Sequence, residues 1–334
     1  MTSAIWTLLA AVLSFGITAL LGKWMIPFLR KIHFGQTIRE EGPQWHMKKQ
    51  GTPTMGGLMF ILGIVIAVLI CVPLYYATSF DETLLMKTRL FGGLGMALAY
   101  GLVGFMDDYI KVVKKRNLGL TVIQKLILQF AVAAAYLFGV YLAGGKSATT
   151  IPFVGEVDFG WGYWILAAVL IVGIVNAVNF TDGIDGLNAS VTFFVCIFLM
   201  MIAGVLSAFS VSIMAVATAA ACMGFLVWNF NPAKVFMGDT GSLFLGGMVC
   251  ALAFGINMPI LLLPLGIVYV AEILSVVLQV GYFKLTHGKR LFKMSPIHHH
   301  FEMCGWSEMK ICFVFSMVAA CGGLISLLLV FFGV

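Results

Sequence analysis

The chain has 334 residues, 61% of them hydrophobic and only 10% charged, with a mean hydropathy of +1.04. So little charge cannot cover a water-facing surface, which excludes an ordinary soluble domain and a nucleic-acid partner and leaves a polytopic membrane protein. The net charge of +6 matters less than where it sits.

Apolar windows of about 17 to 25 residues, the length that crosses hydrocarbon as a helix, fall at 4–28, 55–77, 90–106, 121–142, 162–178, 187–205, 211–228, 240–257, 260–285 and 308–332. The expected fold is therefore all-α, with ten transmembrane helices in one integral membrane domain over 1–334. The first window has no basic stretch before it and no small-residue cleavage site, so it reads as a retained span. Of the seven cysteines, six lie within spans and Cys304 lies in a late loop, so no disulfide framework is implied. Sixteen of the twenty Lys and Arg residues fall in one set of alternating loops, among them Arg30, Lys48, Lys49, Lys111, Lys125, Lys234, Lys289 and Arg290. By the positive-inside rule those loops are cytoplasmic and both termini face outward.

In chain order, the first cytoplasmic loop runs from 35 to 57, where Lys48, Lys49, Thr52 and Thr54 precede a Gly-Gly pair and offer a cradle for an anion. A short outer loop over Thr83 to Lys87 carries no evident chemistry. Span three ends in GFMDDYIK, with Asp107 and Asp108 at the cytoplasmic edge. Adjacent helical residues point about 100° apart, so the two acids should have different partners, and an i, i+3 or i, i+4 ion pair with Lys111 would satisfy Asp107 or Asp108 but hardly both. Lys125, one turn into span four, is the next cation able to reach a phosphate.

The Gly-rich stretch 143–160 alternates TTIPFVGEVDF and reads as a small outer hairpin of structural role. After span five comes NAVNFTDGIDGL, 176–187, where Asp182 and Asp185 are spaced i, i+3 between glycines. They can turn toward one point and leave backbone N–H groups open to an anion, or they can form a plain polar turn. After span seven, FMGDTGSL sets Asp239 at a helix start, with Thr240 as a natural cap, Phe236 exposed beside the acid, and Asn229 and Asn231 close by.

Span nine contains Pro259, Pro264, Gly266 and Gly281 and should be broken. Its Glu272, Ser275 and Gln279 share one face, and an ionisable residue inside a span either serves function or hydrogen-bonds across the bundle. The last cytoplasmic loop ends in PIHHHFE, in which consecutive histidines diverge on a helix, so phosphate or carboxylate contact by one or two imidazoles is more economical than a zinc site.

Asp107, Asp108, Asp182, Asp185, Asp239, His298, His299 and His300 thus converge on the cytoplasmic face. Carboxylate donors select a hard ion, Mg²⁺ above all, whose usual partner is a phosphate or diphosphate. At the membrane edge, the co-substrate should be a lipid whose headgroup reaches the same ion.

At these motifs, with GPQWHMKKQGTPTMGG before them, the sequence resembles the polyprenyl-phosphate N-acetylhexosamine-1-phosphate transferases, most closely their muramoyl branch. The resemblance spans Gly35 to Glu302, departing at Phe180, Ile184 and Asn188 without removing a polar group. It implies a ten-span homodimer in the bacterial cytoplasmic membrane. The implied reaction moves phospho-MurNAc-pentapeptide from UDP-MurNAc-pentapeptide to undecaprenyl phosphate, giving lipid I and UMP. Carried over by motif, Asp239 is a Mg²⁺ ligand, Asp107 and Asp108 are essential acids, and His298 belongs with the catalytic residues. Phe236, Asn229 and Asp185 line the uridine pocket. Lys49, Thr54, Lys111, Lys125, Asn179, Asp182, His298 and His299 contact substrate or its phosphates. Two other readings stand beside this one: a GlcNAc-1-phosphate transferase of the same family, disfavoured by PIHHHFE, and a cation-coupled transporter, which would hold its ionisable groups near the midplane.

Overall fold

The computed structural model describes residues 2–31, 49, 51–78, 82–113 and 119–334. The first cytoplasmic loop up to Lys48, Gln50, and Lys114, Lys115 and Arg116 lie outside the described residues, so the anion cradle expected at Lys48 does too.

In order, the helices are α1 (Thr2–Lys31), α2 (Gly57–Thr78), the single turn α3 (Leu84–Lys87), α4 (Gly93–Val113), α5 (Val122–Leu142), α6 (Gly162–Thr181), α7 (Leu187–Val205), α8 (Phe209–Asn229), α9 (Gly238–Gly255), the single turn α10 (Leu262–Leu265), α11 (Ile267–Leu285), α12 (Ile297–Met303) and α13 (Glu308–Gly333). Among the described residues, ten segments are long and apolar enough to cross a membrane, in register with the ten hydropathy windows. Span nine is broken as its prolines require: a short turn at Pro259–Leu261 and α10 precede Gly266, where α11 starts. The outer loop expected at Thr83 to Lys87 is instead helical. Thr83 Oγ1 accepts the Met86 N–H at 3.3 Å, and a wide turn over Thr88–Gly92 carries the helix into α4, so span three begins at Leu84.

The five motif-bearing connections gather at one end of the bundle. There Phe236 N donates to Pro53 O at 2.8 Å, Lys111 and Asn179 reach Asp239, and His298 abuts Gly183. Elsewhere β1 (Ala148–Ile151) and β2 (Gly155–Asp158) form the expected antiparallel hairpin. Thr150 N and Thr149 Oγ1 both donate to Asn257 O, at 3.1 and 2.9 Å, and Phe153 N donates to Gly333 O at 2.8 Å.

Helix α9 is the axis of the bundle, with every residue from Thr240 to Gly255 buried. Lipid gives no hydrophobic drive between spans, so helices adhere through close packing of small residues. On α9, a Cβ added at Gly241 would meet Gly57 Cα at 2.9 Å, one at Gly246 would meet Val175 Cα at 2.7 Å, and one at Gly247 would meet Ala97 Cα at 2.8 Å. Since the atoms facing Gly246 are backbone, they cannot swing aside. Gly246→Ala should therefore lower the melting temperature in detergent, at a cost of about 1–3 kcal/mol. Gly173→Ala on α6, with nothing within 4 Å, should leave it unchanged or raise it slightly through helix propensity. Paired thermal melts followed by circular dichroism measure the contrast.

Candidate active site

Helix α9 starts without a cap of its own. Its N-cap residue, Met237, makes no side-chain capping bond, and the first helical residue, Gly238, stands at φ +71°. The acceptor comes from α4. Asp108 Oδ1 takes the Asp239 N–H at 3.2 Å, while Oδ2 takes the Thr240 N–H at 2.9 Å and the Thr240 hydroxyl at 2.7 Å. A buried carboxylate must find donors, and a helix N-terminus supplies both donors and a favourable dipole. Thr240, expected as the cap, is therefore a donor to it. The backbone donors expected to receive an anion beside Asp239 are already taken.

The Asp239 side chain points into a cationic setting. Its Oδ2 lies 3.0 Å from both Lys111 Nζ and Lys125 Nζ, and its Oδ1 accepts from Asn179 Nδ2 at 2.8 Å. Asn179 also donates to Ser242 Oγ at 2.7 Å, which orients its amide. Asp107 Oδ1 accepts the Leu120 N–H at 2.8 Å, and its Oδ2 pairs with Lys111 Nζ at 2.5 Å. The neighbouring acids thus part as helical geometry requires, and only Asp107 takes the i, i+4 ion pair. Glycine makes the approach feasible, since a Cβ at Gly104 would lie 2.1 Å from Asp239 O. Oxygens of Asp107, Asp108 and Asp239 lie within 4.8 Å of one another, a hard-donor set that fits a divalent cation such as Mg²⁺.

The two acids of the 176–187 turn do not share a partner. Asp185 is buried, with Oδ1 2.7 Å from Lys49 Nζ and Oδ2 accepting Ala233 N at 2.9 Å and Asn231 Nδ2 at 3.2 Å. Glu308, at the start of α13, binds Lys49 Nζ at 2.6 Å and accepts the Asp185 N–H at 3.1 Å. Asn229 accepts the Gly186 N–H at 3.1 Å and donates to Val235 O at 2.9 Å. The N–H groups at 185 and 186 are therefore closed to an anion, contrary to expectation. Phe236, read as exposed, is half-buried; its segment is joined to that of buried Thr54 by Phe236 N to Pro53 O and Gly56 N to Phe236 O, both 2.8 Å. Asp182 stands apart, with no hydrogen bond to its carboxylate from any described residue. Lost hydration raises its pKa well above the usual carboxylate range, and repulsion from Asp239, Asp108 and Asp185 raises it further.

On α12, His298 is wholly buried, its Nδ1 3.1 Å from each carboxylate oxygen of Glu272. Its Nε2 has no hydrogen-bond partner among the described residues and faces Gly183, where an added Cβ would lie 2.1 Å away. His299 pairs with Glu302 at 2.5 Å, and His300 Nδ1 accepts the Lys293 N–H at 3.1 Å. Gln279 Oε1 accepts the Leu291 and Phe292 N–H groups at 3.1 and 2.8 Å, tying the histidine loop to α11. The expected convergence of eight groups is thus a cluster of three acids flanked by a Lys49–Asp185–Glu308 network and a Glu272–His298 pair. Glu308 went unread because an acid in the first turn after a capping serine, here Ser307, is ordinary helix chemistry.

A family model described as Glycosyl transferase family 4 matches residues 90–257, and phospho-N-acetylmuramoyl-pentapeptide-transferase signature 1 matches residues 49–61. The chain is similar to phospho-N-acetylmuramoyl-pentapeptide-transferases of Halalkalibacterium halodurans (48% identity, covering 92% of each chain), Bacillus pumilus (48%, covering 92% of this chain and 93% of the relative) and Clostridium perfringens (48%, covering 93% and 94%). With the acid cluster assembled from residues of the matched region, and near-complete alignment to these relatives, the chain belongs to the phospho-N-acetylmuramoyl-pentapeptide-transferase branch of glycosyl transferase family 4.

Proposed function

We propose that this membrane protein, acting as a single domain, transfers phospho-MurNAc-pentapeptide from UDP-MurNAc-pentapeptide to undecaprenyl phosphate. The products are lipid I and UMP, the first membrane step of peptidoglycan synthesis. One observation carries the reading: three carboxylates within 4.8 Å of one another, beside two lysines, at the end of a ten-span bundle. Two phosphorylated substrates, one water-soluble and one lipid, can meet only where such a site borders the membrane. The PIHHHFE loop favours the muramoyl donor over a GlcNAc donor.

Asp239, with Asp107 and Asp108 beside it, would hold Mg²⁺, which when bound screens diphosphate charge and polarises the phosphoryl oxygens. Lys111 and Lys125 stand on the same carboxylate and are placed to take phosphate oxygens. Asp185, Asn229 and Phe236 form the uridine side, with Lys49 and Thr54 next to them. Asn179, Asp182, His298 and His299 face the sugar phosphate. A phosphate monoester has a second pKa of about 6, so the lipid phosphate is largely dianionic at neutral pH and needs little help from a base. Its obstacle is repulsion, which the lysines reduce while holding nucleophile and leaving group in line. Asp108 has three donors on its oxygens, which makes Asp107 the acid that orients the attacking phosphate. The reaction is direct attack on the sugar-bearing phosphorus, without a covalent aspartyl phosphate.

The site faces the cytoplasm from the bacterial inner membrane, both termini lie outside, and the working unit is a homodimer, as the family resemblance implies. In a cysteine-free background, Lys146→Cys should label with an impermeant thiol reagent applied outside, and Lys289→Cys should not; the reverse pattern would invert the bundle. Asp239→Asn keeps size but loses the charge, so Mg²⁺-dependent UMP release should collapse while the thermal melt persists. Near-normal turnover would remove Asp239 from the metal site. Lipid-depleted protein given UDP-MurNAc-pentapeptide should show neither a stoichiometric burst of UMP nor isotope exchange between UMP and donor. A burst with labelled sugar phosphate retained on an aspartate would replace direct attack by a covalent route.

A further inference from the structure

Glu272 is a wholly buried acid that the reaction as described does not use. It sits inside a membrane-spanning helix, on the stripe of α11 that also buries Val268, Tyr269, Ser275 and Gln279. Both of its oxygens lie 3.1 Å from His298 Nδ1. An ionised carboxylate only accepts, so Nδ1 carries a hydrogen and the ring is held in one orientation. That orientation aims Nε2 at the Asp182–Gly183 turn, where it is buried and without a partner. Buried polar nitrogens are normally satisfied, and an unsatisfied one held so firmly marks the place of an absent partner. Only a glycine is tolerated in front of Nε2, since a Cβ at Gly183 would lie 2.1 Å from it.

From this geometry we infer that Glu272 is a positioning residue for His298, fixing the imidazole so that Nε2 presents a hydrogen to an anionic oxygen of the phosphorylated donor at the Asp182–Gly183 turn. Two features fit an anion in particular. A carboxylate behind Nδ1 stabilises the imidazolium, the form in which Nε2 donates. No neighbouring group among the described residues bonds Nε2 instead: Asp182 in the facing turn makes no hydrogen bond to it, and His299, whose ring centroid lies 4.1 Å from that of His298, is paired with Glu302. A substrate oxygen completes the arrangement. The inference rests on the transferase reading for the identity of the anion, but not for the Glu272–His298 geometry.

The test is a double-mutant cycle on UMP release with UDP-MurNAc-pentapeptide and undecaprenyl phosphate, backed by a titration that needs no activity. Glu272→Gln preserves shape and removes the charge. It should lower kcat roughly 10–100-fold, in the range of an outer-shell orienting partner, change KM for the donor little, and move the basic limb of the kcat profile to lower pH. In a His298→Gln background the same substitution should have almost no further effect. Glu272→Asp, which retains charge at shorter reach, should recover part of the loss. Separately, ¹⁵N-histidine spectra in nanodiscs, with His298 assigned by its loss in His298→Gln, should show that ring titrating at lower pH in Glu272→Gln. Independent, additive effects of the two substitutions, or an unchanged His298 titration, would overturn the inference. A His298 titration that differs between wild type and Glu272→Gln, in protein that releases no UMP from this donor, would instead overturn the transferase reading and leave the positioning role standing.

Discussion

The structure turns on the carboxylate of Asp108. Helix α9 is buried from Thr240 to its end and its N-cap residue, Met237, makes no side-chain capping bond, so its first N–H groups need an acceptor from elsewhere. Asp108 supplies the missing acceptor from α4, and each of the two helices thereby answers the other's deficit: an unhydrated anion on one side, unhydrated donors on the other. Because Asp239 occupies the first turn of the capped helix, the bond that completes the fold also sets the acid beside Lys111, Lys125 and Asn179. Folding and site assembly are one event at this point.

The ten spans and the end of the bundle that bears the chemistry were legible because hydrocarbon imposes a length and a polarity that a linear sequence displays directly. The broken ninth span followed from its prolines, and the parting of Asp107 from Asp108 followed from helical geometry. What could not be read was pairing. Asp108 finds Thr240 across 132 positions and Lys49 finds Glu308 across 259, and nothing local in either partner announces the other. The extension of span three to Leu84 escaped because Lys87 and Arg89 interrupt the apolar run, although Thr83 caps the turn and the helix continues through them. Phe236 was read as exposed because the closure of its segment on Pro53 and Gly56 is a tertiary contact.

Low dielectric explains why the polar groups divide into separate networks. Each buried carboxylate needs its own donors, and those donors belong to particular helices: Lys111 on α4, Lys125 on α5, Asn179 on α6. A motif whose two acids stand three residues apart can therefore serve two neighbourhoods, as Asp185 joins Lys49 while Asp182 is left facing the acid cluster. Among the described residues, neither Asp182 nor His298 Nε2 has a hydrogen-bond partner, which concentrates unmet polarity on either side of Gly183.

The hairpin bears on this arrangement from the far end of the bundle. It clasps Asn257, two residues past the end of α9, through Thr149 and Thr150, and Arg89 grips the Asn257 side chain at 3.0 Å. A helix slipped by one residue moves about 1.5 Å along its axis and turns about 100°, enough to carry Asp239 out of reach of both lysines. The clasp acts as an indexing stop, fixing the depth and azimuth of the central rod from the side opposite the chemistry. The hairpin is in this sense a distant part of the gauge that sets the acid cluster, working from the opposite end of the bundle.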